Sequence, residues 1–149
     1  MRVRRKGQLR HFPAGQLPRT RGHEAIVSVR VDPVRLTGDP RRLGEGHALA
    51  FEVRVEGVMR EAFVVRWKGG LHAYLNTCRH QGLRLDFGDL HFFDDEYDAI
   101  VCCHHGARYR PATGVCFDGP CEGARLTALR LEERADGTWC VGAAEIPPA

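Results

Sequence analysis

Two short segments that combine cysteine with histidine constrain this chain more than any other feature. Box 1 is Cys78-Arg79-His80, and box 2, which begins after a further 21 residues, is Cys102-Cys103-His104-His105. Thiolates and imidazoles are both metal ligands. Because neighbouring side chains of a strand point to opposite faces, each box must be a loop to direct its ligands to one point. The boxes predict two loops that meet around a metal centre, with either cysteine and either histidine of box 2 available as ligands.

Short β-forming segments with turn signals between them surround the boxes. In 48–55 apolar residues alternate with polar or small ones, and Glu56-Gly57 offers a turn to the next apolar segment. We expect strands at 25–31, 48–55, 62–67, 71–75, 97–102, 108–110, 115–117, 126–131 and 138–141. Many short strands at close spacing predict an all-β protein, an antiparallel β-sandwich or barrel.

The distribution of ligands between the boxes separates two kinds of metal site. Zinc fingers usually group a cysteine pair and then a histidine pair, whereas each box here supplies one of each. C-x-H followed by C-x-x-H-G resembles the Rieske family, in which two cysteines hold one iron of a [2Fe–2S] cluster and two histidines hold the other. The family's glycine after the second histidine matches Gly106, and this implies His105 and, three residues earlier, Cys102. The resemblance therefore implies four cluster ligands: Cys78, His80, Cys102 and His105.

The resemblance extends over about 48–142. Tyr109 matches a family tyrosine that can bond to a ligand sulfur, and Gly119-Pro120-Cys121 is similar to the family's Gly-Pro loop, which folds back over the cluster. The implied fold is a Rieske-like antiparallel β-sandwich or barrel with a small cluster-binding subdomain of two loops. The residues that the resemblance implies around the cluster are Tyr109, Gly106 and Pro120.

Two departures from the respiratory members of the family bear on the reduction potential. Box 1 has no second cysteine, so the disulfide that joins the boxes in those proteins cannot form. Ala107 stands where they have a serine that bonds to a cluster sulfur. Fewer hydrogen bonds to sulfur stabilise the reduced cluster less, so we expect a low-to-intermediate potential within the Rieske range.

Charge and composition divide the chain into a basic N-terminal extension at 1–46, partly ordered at most, a Rieske domain at 47–143 and a C-terminal tail at 144–149. Residues 1–23 contain seven bases and no acid, and the remainder has 15 bases against 19 acids. A basic tail alone does not indicate nucleic-acid binding, and we expect none. No apolar run reaches the roughly 18–20 residues of a membrane span, and no secretory signal is evident, so we expect a cytoplasmic protein without a membrane partner. In a reducing cytoplasm we expect Cys116 and Cys121 to be free thiols, although a bridge between them stays open.

The resemblance implies a small ferredoxin that passes single electrons between a reductase and an acceptor such as an oxygenase. We expect no catalytic site and no small-molecule substrate, because few residues follow the domain. Two alternatives stay open at this point. One is a regulatory module whose cluster senses oxygen or redox state, and the other is a structural zinc domain.

Overall fold

Nine β-strands form the fold in the computed structural model, which describes residues 27–94, 96 and 98–147. The strands are β1 (Val27–Arg35), β2 (Ala48–Val55), β3 (Val58–Trp67), β4 (Gly70–Leu75), β5 (Ile100–Val101), β6 (Arg108–Tyr109), β7 (Cys116–Asp118), β8 (Ala128–Glu133) and β9 (Trp139–Ile146). A 3-10 helix at Pro40–Arg42 lies between β1 and β2. The prediction of an all-β antiparallel fold is confirmed.

Six of the strands close an antiparallel barrel in the order β1, β2, β3, β4, β8 and β9. The predicted hairpin is β2 and β3, paired from Ala48↔Val65 to Val55↔Val58. Glu56 and Gly57 both have positive φ, at 50° and 85°, as a two-residue turn between twisted strands requires. β5, β6 and β7 form a separate three-stranded sheet.

Successive side chains of β3 point to opposite faces, so its buried residues belong to two different cores. Ala62 and Val64 belong to the core inside the barrel, whereas Phe63 and Val65 belong to a second core. This second core also contains the box cysteines Cys78 and Cys102. One face of β3 therefore packs the barrel, and the other supports the region that holds the boxes.

The barrel includes residues that precede and residues that follow the predicted domain 47–143 in the sequence. β1 pairs with β9 from Val27↔Ile146 to Arg35↔Cys140, so residues of the predicted extension and of the predicted tail lie in one ladder. A barrel closes only if both of its edge strands find partners, which explains why these flanking residues are recruited. The division into extension, domain and tail otherwise stays a prediction.

Most predicted strands agree with observed strands within a few residues. The strand predicted at 97–102 is observed only as β5, because the chain turns into box 2 at Cys102. Residue 97 of that prediction and residues 25 and 26 of the first predicted strand lie outside the described residues. Within the described part of the chain no helix has the length and apolarity needed to cross a membrane.

Candidate metal centre

The two boxes are loops closed by the same pair of hydrogen bonds. In box 1 the Cys78 N–H donates to Leu83 O at 2.7 Å, and the Gly82 N–H donates to Cys78 O at 2.8 Å. In box 2 Cys102 bonds to Ala107 O and Gly106 bonds back to Cys102 O, both at 2.9 Å. Gly82 and Gly106 occupy equivalent positions with φ of 73° and 78°, which glycine adopts without strain. Cys102, rather than Cys103, is thus the counterpart of Cys78.

Each loop follows a strand, and a backbone hydrogen bond connects the two loop regions. Box 1 follows β4 and box 2 follows β5. The Cys103 N–H donates to Leu85 O at 2.8 Å, which connects box 2 to the chain that leaves box 1. The sheet edges and this bond hold the two loops side by side, as the sequence predicted.

The sulfurs are buried and the imidazoles lie nearer the surface. Cys78 and Cys102 are only 2% and 1% exposed, whereas His80 is half-buried and His105 is exposed. Burial raises the pKa of the Cys102 thiol, the backbone N–H groups of His104 and His105 oppose this, and the nearby Cys78 thiol raises it further. The two thiols therefore lie close enough together to interact.

The histidines of box 2 point in different directions. The His105 ring lies 5.0 Å from the His80 ring, centroid to centroid, at an interplanar angle of 90°. His104 instead packs against the exposed ring of Phe87 at 5.8 Å. The structure thus brings the rings of His80 and His105 together and leaves His104 beside Phe87.

The donor set fits a two-iron cluster. His80 Nδ1 is buried and has no hydrogen-bond partner among the described residues, so its lone pair or proton is unsatisfied unless a further group binds there. In a [2Fe–2S] cluster of this type each iron takes only two protein ligands. No group of three or more His, Cys, Asp or Glu side chains that could hold a single metal ion is found in the part of the chain that the structure describes.

Tyr109 lies beside the box 1 sulfur. Its hydroxyl is 3.3 Å from Cys78 Sγ and 3.2 Å from Cys121 Sγ, and it accepts a 3.0 Å hydrogen bond from the Arg79 N–H. Burial raises the pKa of Tyr109 far above its ordinary value, and the contacts with Cys121 and Cys78 add to this. The phenol therefore stays protonated and can donate to a sulfur.

The Gly-Pro loop packs against box 2 through Gly119. A Cβ atom at this residue would lie 2.8 Å from Ala107 Cα, and its φ of 107° is unfavourable for other residues. Pro120 is exposed, and the side chain of this loop that reaches Tyr109 is that of Cys121. The predicted tuning role of Pro120 stays a prediction.

A buried polar pair that sequence reasoning missed supports the chain after box 1. Asn76 donates to Asp86 Oδ1 at 2.9 Å and accepts from the Leu85 N–H at 2.8 Å, while Asp86 Oδ2 accepts from the Leu90 N–H at 2.9 Å. Asp86 is 1% exposed. Asn76 and Asp86 stand ten residues apart among other polar and charged residues, so the sequence carries no signal that identifies them as a buried pair.

A family model for the Rieske [2Fe-2S] domain matches residues 38–133. The chain belongs to the Rieske family. Members of this family bind a [2Fe–2S] cluster, so the cofactor expected from the two boxes is confirmed. None of the curated proteins matches the chain.

Solved structures agree with this membership. The ferredoxin of carbazole 1,9a-dioxygenase from Nocardioides aromaticivorans IC177 is similar with 28% identity and a TM-score of 0.54, over 73% of this Rieske chain and 95% of that one. The terminal oxygenase of carbazole 1,9a-dioxygenase from Novosphingobium sp. KA1 has 19% identity and a TM-score of 0.58, over 76% of this chain but 30% of that one. The second likeness shows the fold alone.

Proposed function

We propose that this Rieske chain is a ferredoxin-type one-electron carrier whose cluster is held by Cys78, His80, Cys102 and His105. The observation that supports it most strongly is the arrangement of two buried thiols behind two imidazoles at the surface. Similarity to the carbazole dioxygenase ferredoxin over almost the whole of that chain supports the same role.

The residues of this chain have distinct tasks in that role. When bound, the cluster supplies reversible uptake and release of one electron. Cys78 and Cys102 exclude water from the sulfur side, whereas the exposed His105 gives a partner close access. Tyr109 donates to Cys78 Sγ and so favours the more negative state.

The partners we propose are a reductase that supplies the electron and an acceptor such as an oxygenase. Solved complexes of oxygenase with ferredoxin in carbazole 1,9a-dioxygenase show the same fold as this chain, at 22% identity and a TM-score of 0.55 over 27% of the matched chain. We assign the chain no bond-forming chemistry of its own. We also propose a cytoplasmic location, since thiol ligands stay reduced there.

Neighbouring residues in box 2 provide matched variants that test the ligand set. Cys102→Ser and His105→Ala should lose the visible absorbance and the iron, whereas Cys103→Ser and His104→Ala should keep both. Iron and acid-labile sulfide analysis of the four purified proteins measures this. Retention of a full cluster by Cys102→Ser or His105→Ala would contradict the assignment.

Repeated redox cycling separates the carrier from its alternatives. Reduction with dithionite and reoxidation with ferricyanide should consume one electron per cluster in every cycle, without loss of iron. A sensor would lose its cluster in air, and a structural zinc domain would be colourless. Either result would contradict the carrier proposal.

A further inference from the structure

Cys116 and Cys121 form a thiol pair next to the residue that contacts the cluster ligand. Their Sγ atoms lie 3.5 Å apart, and Cys121 Sγ lies 3.2 Å from the Tyr109 hydroxyl. Both cysteines are free in the structure. A continuous chain of contacts therefore runs from Cys116 through Cys121 and Tyr109 to Cys78 Sγ.

The backbone around the pair is fixed in a way that suits a bridge. The Cys116 N–H donates to Ala124 O, and the Gly123 N–H donates to Cys116 O, both at 2.8 Å. Gly119 holds the start of the same loop against Ala107. The sulfurs must approach from 3.5 Å to the disulfide length of about 2.05 Å for the bridge to form.

When Cys78 is a cluster ligand, the direction of the Tyr109 O–H is fixed. A ligand thiolate carries no proton, so Tyr109 must donate its single O–H to Cys78 Sγ. The Arg79 N–H occupies one acceptor site of the hydroxyl oxygen. The remaining acceptor site faces Cys121 Sγ at 3.2 Å, and the single Cys121 S–H can donate either there or to Cys116 Sγ at 3.5 Å. In the first arrangement it polarises the hydroxyl and strengthens its donation to Cys78.

We propose that Cys116 and Cys121 are a reversible disulfide site that lowers the potential of the neighbouring cluster when it is oxidised. The bridge removes the S–H that Cys121 offers to Tyr109, so the hydroxyl donates less strongly to the ligand sulfur. The inference rests on the proposed function, because it assumes a cluster on Cys78.

The oxidant we name is a small-molecule disulfide such as glutathione disulfide. Cys121 is the more accessible thiol; its sulfur attacks the glutathione disulfide bond, releases one glutathione thiol and forms a mixed disulfide. Cys116 Sγ then attacks Cys121 Sγ and releases the second glutathione. The protein pair loses two electrons and two protons, which the two glutathione molecules take up.

The two cysteines differ in a way that fits this order of attack. Cys116 is 1% exposed, while Cys121 is half-buried. Burial, together with the contact from Cys121, raises the pKa of Cys116 to about 11. Cys116 is thus protected from external disulfides and reacts after Cys121 has been captured.

Two independent readouts on the full cluster-loaded chain test the proposal. After treatment with glutathione disulfide, mass mapping of a non-reduced digest should find the Cys116 to Cys121 bridge. Voltammetry should show that the equilibrium constant for reduction of the cluster falls about three- to tenfold. For one electron this corresponds to a reduction potential lower by about 30–60 mV. Dithiothreitol should restore the starting value.

Three variants assign the effect to the pair. Cys116→Ser keeps the Cys121 donor but stops at the mixed disulfide, so its untreated potential should match that of the reduced wild type, and treatment should add one glutathione to Cys121 without forming a bridge. Cys121→Ala should have a lowered potential without treatment. Cys140→Ser, a buried cysteine of β9, should respond like the wild type.

The outcomes that overturn the proposal differ from those that overturn the carrier role. Absence of the mapped bridge, an unchanged potential after bridging, or a response that persists in Cys121→Ala would refute the switch. Any of these would leave a reversible one-electron carrier intact. Failure of the carrier proposal would instead be seen as a colourless protein or as cluster loss on cycling.

Discussion

At the scale of single residues, one hydroxyl group connects the proposed ligand set to its surroundings. Tyr109 is fully buried and contacts Cys78 Sγ, Cys121 Sγ and the Arg79 N–H. A hydrogen bond to a ligand sulfur stabilises the reduced cluster more than the oxidised one. The identity of this residue should therefore affect the reduction potential more than the stability of the fold.

Replacing Tyr109 with Phe tests this role. Loss of a hydrogen bond worth about 1 kcal/mol should lower the equilibrium constant for reduction of the cluster about fivefold. We therefore expect the reduction potential to fall by about 40 mV. Tyr74→Phe is the matched control, because the Tyr74 hydroxyl donates to Pro111 O at 2.7 Å and contacts no box residue. Equal shifts in both variants, measured by voltammetry, would refute the role of Tyr109.

That the two boxes are loops could be predicted from the sequence, because each must direct side chains to one point, whereas the choice of ligands in box 2 and the role of Tyr109 were implied by the resemblance to the Rieske family. The contact of Cys121 with Tyr109 could not be predicted, since it depends on how a separate loop packs in three dimensions. The direction of His104 toward Phe87 likewise depends on a residue 17 positions away, in a segment where no strand was predicted.

At the scale of elements, the Gly-Pro loop keeps its place through close backbone contact. Gly119 and Gly123 are at the two ends of this loop and both have positive φ, at 107° and 94°. A Cβ at Gly119 would meet Ala107 Cα at 2.8 Å, whereas a Cβ at Gly123 has no neighbour within 4 Å. The two glycines share the backbone requirement, and only the first approaches box 2.

Alanine at each glycine separates these two effects. Gly123→Ala should lower the free energy of unfolding by about 1 kcal/mol through backbone strain alone. Gly119→Ala should cost about 1–3 kcal/mol more and should accelerate loss of the cluster, because box 2 must shift. Thermal unfolding and the decay of visible absorbance measure the two quantities; identical behaviour of the variants would disprove the packing role.

The segment after box 1 should respond to acid through Asp86. Burial by itself raises the pKa of this carboxyl, but hydrogen bonds from Asn76 and the Leu90 N–H, with the charge of Arg84, outweigh it and hold the pKa below its ordinary value. A lowered pKa stabilises the folded protein above the ordinary value near 4, and this contribution is lost as pH falls through the folded-state pKa.

Asp86→Asn should therefore destabilise the protein by about 1–3 kcal/mol at neutral pH, with a difference from wild type that shrinks below about pH 4. Urea unfolding across this pH range is the measurement. The exposed Asp98→Asn serves as control for any general loss of the cluster in acid. A difference between Asp86→Asn and wild type that is independent of pH would contradict the account.

At the scale of the whole molecule, β3 contributes side chains to two cores, one inside the barrel and one that contains the box cysteines. Val64 faces the barrel interior, and its neighbour Phe63 stacks on Phe92 at 3.9 Å in the core that contains the box cysteines. The β-forming residues of 62–67 predicted a strand. They could not reveal that both faces are buried, because that depends on β5, β6 and β7 packing against the outside of the barrel.

Substitutions at these adjacent positions should separate cluster retention from global stability. Val64→Ala and Phe63→Leu should each lower the free energy of unfolding by about 1–3 kcal/mol. Only Phe63→Leu should also accelerate cluster release under conditions where the barrel stays folded. Circular dichroism and visible absorbance, followed in parallel in dilute urea, would distinguish the two; equal release rates would argue against separate cores.

The most direct test of the whole account is a count of nitrogen ligands in the reduced protein by pulsed electron paramagnetic resonance. Two histidine ligands on one iron predict two strongly coupled nitrogens, which isotopic labelling of histidine should identify as imidazole nitrogens. His104→Ala should leave both couplings unchanged. A reduced cluster without strongly coupled nitrogen, or couplings that disappear in His104→Ala, would contradict the proposed centre.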